Sequence, residues 1–317
     1  MRGSFRVKME IPVKKLAARA VDFVTRHACN TRRDAENVDL CLSTLCRPES
    51  LTEVRFPVAY VEFLRTCIEH AQCGVKEVKR DGGTGDESDR FTTLLEVLGS
   101  SLPPIEFSVA TTIALIADHY RTLRRPLEAA WAGDIGHHFQ LASSFGKKGR
   151  ILSTIVRFAR AKRCLELGTA YGMSALFILE AIRNNLETGH LRTVEGWDLL
   201  YSLSSSMLKE RYSDMVSCHF GNNQDELPKL AKTAGPFDFM FHDDGHSRDD
   251  YVRDFNAMKD NFSPGAVVLF DDIRWEDLRI TKGRPARCYE GWMEVCADTK
   301  VRRAVEIDYN LGLLLLR

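Results

Sequence analysis

Two short acidic clusters hold the residue types in this chain best suited to chemistry: Asp243-Asp244-Gly245-His246, which closes the run FDFMFH, and Asp271-Asp272, which closes AVVLF. Carboxylates leaving the ends of two neighbouring strands can share a hard divalent ion such as Mg²⁺, which takes a few such oxygens and keeps positions open for water and a substrate. His246 stands three residues beyond Asp243. An imidazole, with an ordinary pKa of about 6.5, can accept a proton from a hydroxyl activated there. The competing use of these acids is structural, as an Asx turn and as caps for the helix beginning near Arg248. Four acids in two clusters exceed what capping needs.

Positioning both clusters at one place requires parallel strands with a common carboxyl edge. The chain alternates apolar strand-like runs (LRTVEGWDLL, MVSCHF, FDFMFHDDGH, AVVLFDDIRW) with helical patterns from Arg163 onward, which predicts βαβ units and a doubly wound α/β sheet. The first unit is RCLELGTAYGMSAL, a strand, a glycine turn and a helix start at Ser174-Ala175. Gly168 and Gly172 allow backbone conformations closed to other residues and a close ligand approach, over a helix N-terminus. Their spacing, Glu166-x-Gly168-x-x-x-Gly172-x-Ser174, is not the G-x-G-x-x-G of dinucleotide sites. Glu195, at the end of the second strand, suits hydrogen bonds to a ribose, and Asp198 suits a helix cap.

This motif, Glu166 with Gly168 and Gly172, resembles motif I of class I S-adenosylmethionine (AdoMet) methyltransferases. The resemblance, which runs from Glu166 to Arg317 and includes the closing run VRRAVEIDYNLGLLLLR as an antiparallel hairpin, implies a seven-stranded Rossmann-like core. It implies that Glu166, Gly168, Thr169, Gly172 and Ser174 hold the amino-acid end of AdoMet, that Glu195 takes the ribose, and that Asp243 also borders the cofactor. GNNQDELPKL looks like the adenine loop of catechol-type O-methyltransferases, which makes Asn223 and Gln224 the candidate adenine contacts. In that metal-dependent family the ligand positions correspond to Asp243, Asp271 and Asp272, and His246 falls where catechol-type enzymes carry a lysine base and macrolide-sugar O-methyltransferases a histidine. Asp-Asp replaces the commoner Asp-Asn and His replaces Lys, so a catechol acceptor does not carry over. The activity implied is Mg²⁺-assisted O-methylation of a small-molecule hydroxyl. The alternatives are metal-independent O- or N-methylation, and a silent AdoMet-binding scaffold whose helical region binds a partner.

The remaining features bound this reading. Lys plus Arg and Asp plus Glu are 44 each in 317 residues, so no global charge favours nucleic acid or an anionic membrane. Nine irregularly spaced cysteines form no paired framework, and no apolar stretch approaches a membrane span, so a cytoplasmic protein with free thiols is expected. Residues 1–136 read as a helical region serving dimerisation or as a substrate lid, with a mobile loop at 74–90, and 137–317 as the methyltransferase core. His137-His138 carries no third metal ligand. The segment 146–149, GKKG, is placed either over the cofactor or as a basic turn, and Trp275, Arg284 and Arg287 fall in a substrate-facing loop.

Overall fold

The computed structural model describes residues 74–80, 86–100, 146–185, 188–275, 285–308 and 310–317. All of them belong to one unit, His70–Pro104 with His137–Arg317. The expected N-terminal helices before residue 74, the dimerisation surface, His137-His138 and Arg284 lie outside the described residues.

The described sheet has eight strands in the order β1-β7-β8-β6-β5-β2-β3-β4. Strands β2 (Arg163–Leu167), β3 (His190–Glu195), β4 (Val216–Phe220), β5 (Phe237–His242) and β6 (Phe262–Phe270) run parallel, and β7 (Val301–Ile307) with β8 (Leu311–Leu316) form the expected antiparallel hairpin beside β6. The parallel strands are joined by α3 (Met173–Asn185), α4 (Asp198–Tyr212), α5 (Asn223–Thr233) and α6 (Arg248–Met258), while α2 (Gly146–Phe158) precedes β2 and α7 (Cys288–Ala297) precedes β7. Central strands covered on both faces need continuous apolar runs. Cys164, Leu165 and Leu167 of β2, and Phe237, Phe239, Met240 and Phe241 of β5, are accordingly buried. Helix α2 shows one apolar stripe, Ile151, Leu152, Ile155 and Val156, all buried.

The sheet departs from the seven-stranded expectation by one strand. Val75–Arg80, inside the stretch read as a mobile loop, is β1, and it pairs antiparallel with β7 from Val75↔Ile307 to Arg80↔Arg303; α1 (Asp86–Ser100) follows it. VKEVKR has few apolar residues because it is an edge strand, where charge guards against further pairing. Its charge is also used: Arg303 of β7 donates to Glu77 Oε1 from Nη2 at 2.9 Å and to Thr92 from Nη1 at 2.8 Å. A strand whose partner lies more than 220 residues away has no local signature, so these residues belong to the core sheet rather than to the N-terminal region.

Strand order reverses on either side of β2, which is where open α/β sheets bind ligands. Register brings the chemistry to this edge. Val194 pairs with Leu167, Leu167 with His242, and His242 with Phe270. The residues that follow, Glu195, Gly168, Asp243 and Asp271, therefore leave four adjacent strands side by side.

Candidate active site

On the β2 side of this edge, Glu166 is completely buried and its Oε2 accepts from the Thr193 hydroxyl at 2.5 Å, while Thr169 joins the chain through Thr193. Burial pushes its pKa up to about 7, against the opposing pull of the Ser174 and Thr193 hydroxyls. Its other oxygen, Oε1, is buried with no hydrogen-bond partner. A buried lone acceptor of this kind is costly unless a donor arrives. Gly168 and Gly172 have φ of +85° and +79°, the left-handed region expected of this turn. The cofactor's ammonium group is a donor of the kind Oε1 lacks, so the residues at the turn fit AdoMet.

Glu195 is buried at the end of β3, where its carboxylate accepts from Ala170 N and from Trp197 N, each at 2.7 Å. Burial raises its pKa, and those amides oppose the shift. The acid is thereby held over the glycine turn. Trp197 and Phe220, at the ends of β3 and β4, are the large exposed aromatics of this side, at 53% and 50% exposure. Asp198 lies in the first turn of α4 and does not cap it: the cap residue is Trp197, with no side-chain bond.

The adenine loop is only partly as expected. Asn222 caps α5 by accepting from Asp225 N at 3.0 Å. Gln224 is exposed, whereas Asn223 is buried, donates from Nδ2 to Asp254 Oδ2 at 2.8 Å and leaves its Oδ1 buried without a partner. The spacing Asn223, Glu226, Leu227 and Leu230 is the inward stripe of α5, and it identifies the residue that turns in.

Asp254, on α6, also meets His242 Nε2 at 3.1 Å and accepts from Arg253 Nε at 2.8 Å. Burial raises its pKa, but the bonds from His242, Arg253 and Asn223 prevail and hold it below the usual 3.8. A depressed folded pKa contributes stability above the unfolded value and loses it as pH falls through the folded one. Asp254→Ala is therefore expected to cost about 3–5 kcal/mol at pH 7, with the gap to the unsubstituted protein narrowing below about pH 4. Denaturant unfolding of both proteins at pH 7 and pH 3 checks this, and an equal gap at both pH values would contradict it.

On the β5 and β6 side, capping does not account for the acids. Ser247 caps α6, accepting from Asp250 N at 3.3 Å, and no described helix begins directly after Asp272. Asp244 makes a local turn by accepting from Gly245 N at 2.8 Å. Asp243, His246 and Asp272, all half-buried, offer ligand atoms within 4.8 Å of one another. Asp272 has φ of +54°, the left-handed region that aspartate and asparagine tolerate best among residues with a Cβ. That tolerance gives a physical reason why either residue serves at this position. His246 packs its ring on Trp275, with centroids 5.0 Å apart, and its buried Nδ1 has no partner.

Asp271 differs from expectation. It is 1% exposed, and its Oδ1 accepts from Asp272 N at 2.8 Å while its Oδ2 accepts from the Lys148 ammonium of α2. The atoms that converge are those of Asp243, His246 and Asp272, while the carboxylate of Asp271, the other expected ligand, is engaged by Lys148. Lys148 belongs to the GKKG segment placed over the cofactor or in a basic turn, but its pairing with Asp271, 123 residues away, has no local signature. Burial lowers the Lys148 pKa, but Asp271, Asp243 and Asp272 outweigh it and the net shift is upward. Asp243 is pushed well above its ordinary value by burial, then by Asp271, with Lys148 opposing. Asp272 is raised by burial and by Asp271. Crowded carboxylates of this kind favour a proton or a cation among them. The two carboxylates suit a hard divalent ion such as Mg²⁺, whereas ligation by the imidazole as well would suit a transition metal better.

Arg287 ion-pairs with Glu290 of α7, so this member of the proposed acceptor-facing loop is engaged within its own helix start.

The strand order is that of an open, Rossmann-like α/β sheet with an antiparallel hairpin at one side. Residues 165–273 match the family model described as Methyltransferase domain. The chain is 29% identical over 129 residues to Catechol O-methyltransferase of Niastella koreensis, which covers 40% of this chain and 56% of that protein; the chain thus spans little more than half the length of this curated relative. Among solved structures, cofactor-bound Rv0187 from MTB has a TM-score of 0.50 at 17% identity, covering 75% of this chain and 99% of that one, and shares the fold. The O-methyltransferase TomG from Streptomyces achromogenes, in complex with SAM, has a TM-score of 0.45 at 24% identity, covering 54% of this chain and 80% of that one.

Proposed function

We propose that this protein transfers a methyl group from AdoMet to a hydroxyl of a small-molecule acceptor, assisted by a divalent cation. The observation that carries the reading is the convergence of Asp243, His246 and Asp272 beside the glycine turn, at the switch point of the sheet. Bound AdoMet supplies a sulfonium-borne methyl, whose S–C bond breaks as an O–C bond forms on the acceptor. A divalent cation would lower the pKa of the acceptor hydroxyl and orient it. Asp243 and Asp272 are the residues that would hold the cation. Glu166 and the glycine turn orient the amino-acid end of the cofactor, and Glu195 receives its ribose. His246 Nδ1, buried and without a partner, takes the hydroxyl proton, while Trp275 fixes the imidazole plane and keeps water from one face of it. Among the described residues no helix is long and apolar enough to cross a membrane.

The test is methyl transfer from AdoMet to vicinal and other chelating hydroxyl compounds, with Mg²⁺ and again in excess chelator. Methylated product that requires Mg²⁺ is expected. Equal turnover in chelator would sink the metal-assisted mechanism, and failure to bind AdoMet would sink the whole reading.

Glu166 adds a prediction of its own. Because its pKa is raised to about 7, the free protein holds it protonated below that pH, and an arriving ammonium favours the ionised form. AdoMet affinity should therefore rise with pH up to about 7, and binding near pH 6 should release a proton. Calorimetry in buffers of different ionisation enthalpy reads this release. Glu166→Gln should abolish it and weaken binding by about tenfold or more.

A further inference from the structure

Lys148 is a cation that the methyl-transfer reading does not use, and it stands at the centre of the acid cluster. Helix α2 brings it there. Gly149, the next residue, lies so close to α3 that a Cβ would meet the Phe177 ring at 2.3 Å, and this close approach sets α2 against the core. The Lys148 ammonium bonds Asp271 Oδ2, and the other oxygen of Asp271 is taken by Asp272 N. Tyr251 donates to the Asp271 carbonyl at 2.5 Å, and Asp271 N donates to His242 O at 2.8 Å. Every polar atom of Asp271 is thereby satisfied by the chain itself. Asp243 and Asp272 are instead half-buried, and their carboxylates converge with His246.

We infer that Lys148 is the resident counter-cation of this site: it withdraws Asp271 from direct ligation, neutralises one of three clustered carboxylates, and leaves Asp243 and Asp272 to hold a divalent ion. The inference rests on the metal-assisted reading above and adds a division of labour among the acids. Three carboxylates with one ammonium carry the charge that a single divalent ion balances. The ammonium sets how tightly that ion is held, because each like charge nearby weakens it. It also keeps the site folded when no ion is bound, since a buried carboxylate left without a partner is strongly destabilising.

The experiment is Mg²⁺ titration calorimetry and thermal unfolding of the full chain, unsubstituted and as Lys148→Met, Lys148→Arg and the double variant Lys148→Met/Asp271→Asn, each in chelator and in Mg²⁺. Lys148→Met is expected to bind Mg²⁺ at least about tenfold more tightly than the unsubstituted protein, to melt lower in chelator, and to regain the difference in Mg²⁺; Lys148→Arg should restore the original behaviour. The double variant, which loses one charge of each sign, should bind Mg²⁺ like the unsubstituted protein, and it remains informative if Lys148→Met does not fold. Loss of Mg²⁺ binding in the double variant alone would mean that Asp271 is a ligand, and unchanged or weaker binding by Lys148→Met would mean that the ammonium does not compete; either overturns the inference. If no form binds Mg²⁺, the metal-assisted reading fails and takes this inference with it, a pattern distinct from the other two.

Discussion

His246→Gln is expected to lower the rate of methyl transfer by about 10²- to 10⁴-fold, the span that a positioned general base contributes. AdoMet and Mg²⁺ affinities should stay within about threefold, because a group that acts in the transition state lowers kcat without uniform loss of binding. Glutamine keeps much of the size of the ring while supplying no basic nitrogen. In the protein, His246 Nδ1 is buried without a partner, and the ring is packed on Trp275. One nitrogen of the same ring lies within 4.8 Å of a carboxylate oxygen of Asp243 and of Asp272, so the measurement must separate two roles. A fall in kcat at constant Mg²⁺ affinity identifies the base. A parallel fall in Mg²⁺ affinity would assign His246 to the metal instead, and an unchanged kcat would remove it from the chemistry.

Gly168→Ala is the second substitution with a large expected effect. The position needs φ of +85°, and a Cβ there would stand 2.1 Å from the Asp243 carbonyl oxygen and 2.8 Å from its carbon. The left-handed conformation alone costs a residue with a Cβ about 1–2 kcal/mol. The contact is worse, because backbone must move to relieve it, and the backbone in question is that of a proposed metal ligand. AdoMet binding should weaken by about 100-fold or more, a loss of about 2.7 kcal/mol, and the melting temperature should fall with it. Gly172→Ala provides the comparison. Its φ is similar, but the added Cβ meets the flexible end of Met207 at 2.9 Å, so the milder loss is expected there. Calorimetric titration of both variants decides the order, and equal losses would contradict the steric argument.

The fold and much of the edge site were legible in the sequence because both are written in local patterns. Continuous apolar runs ending in Glu195, Asp243 and Asp271 mark parallel strands and their carboxyl ends, and parallel pairing then delivers those ends to one row. The left-handed positions at Gly168 and Gly172 announce themselves by residue type. What only the tertiary structure decided is which partner each polar side chain meets, since that depends on contacts between residues far apart in the chain. Asn223, read as a ligand contact, has its Nδ2 engaged by Asp254, 31 residues away on α6. Asp271 looked like a metal ligand and is held by Lys148, 123 residues away on α2. VKEVKR looked like solvated loop, yet its backbone pairs with β7 and its Glu77 is met by Arg303, more than 220 residues on. Backbone periodicity is enforced by near neighbours and can be read from them; charge neutralisation acts through space between elements that only packing brings together.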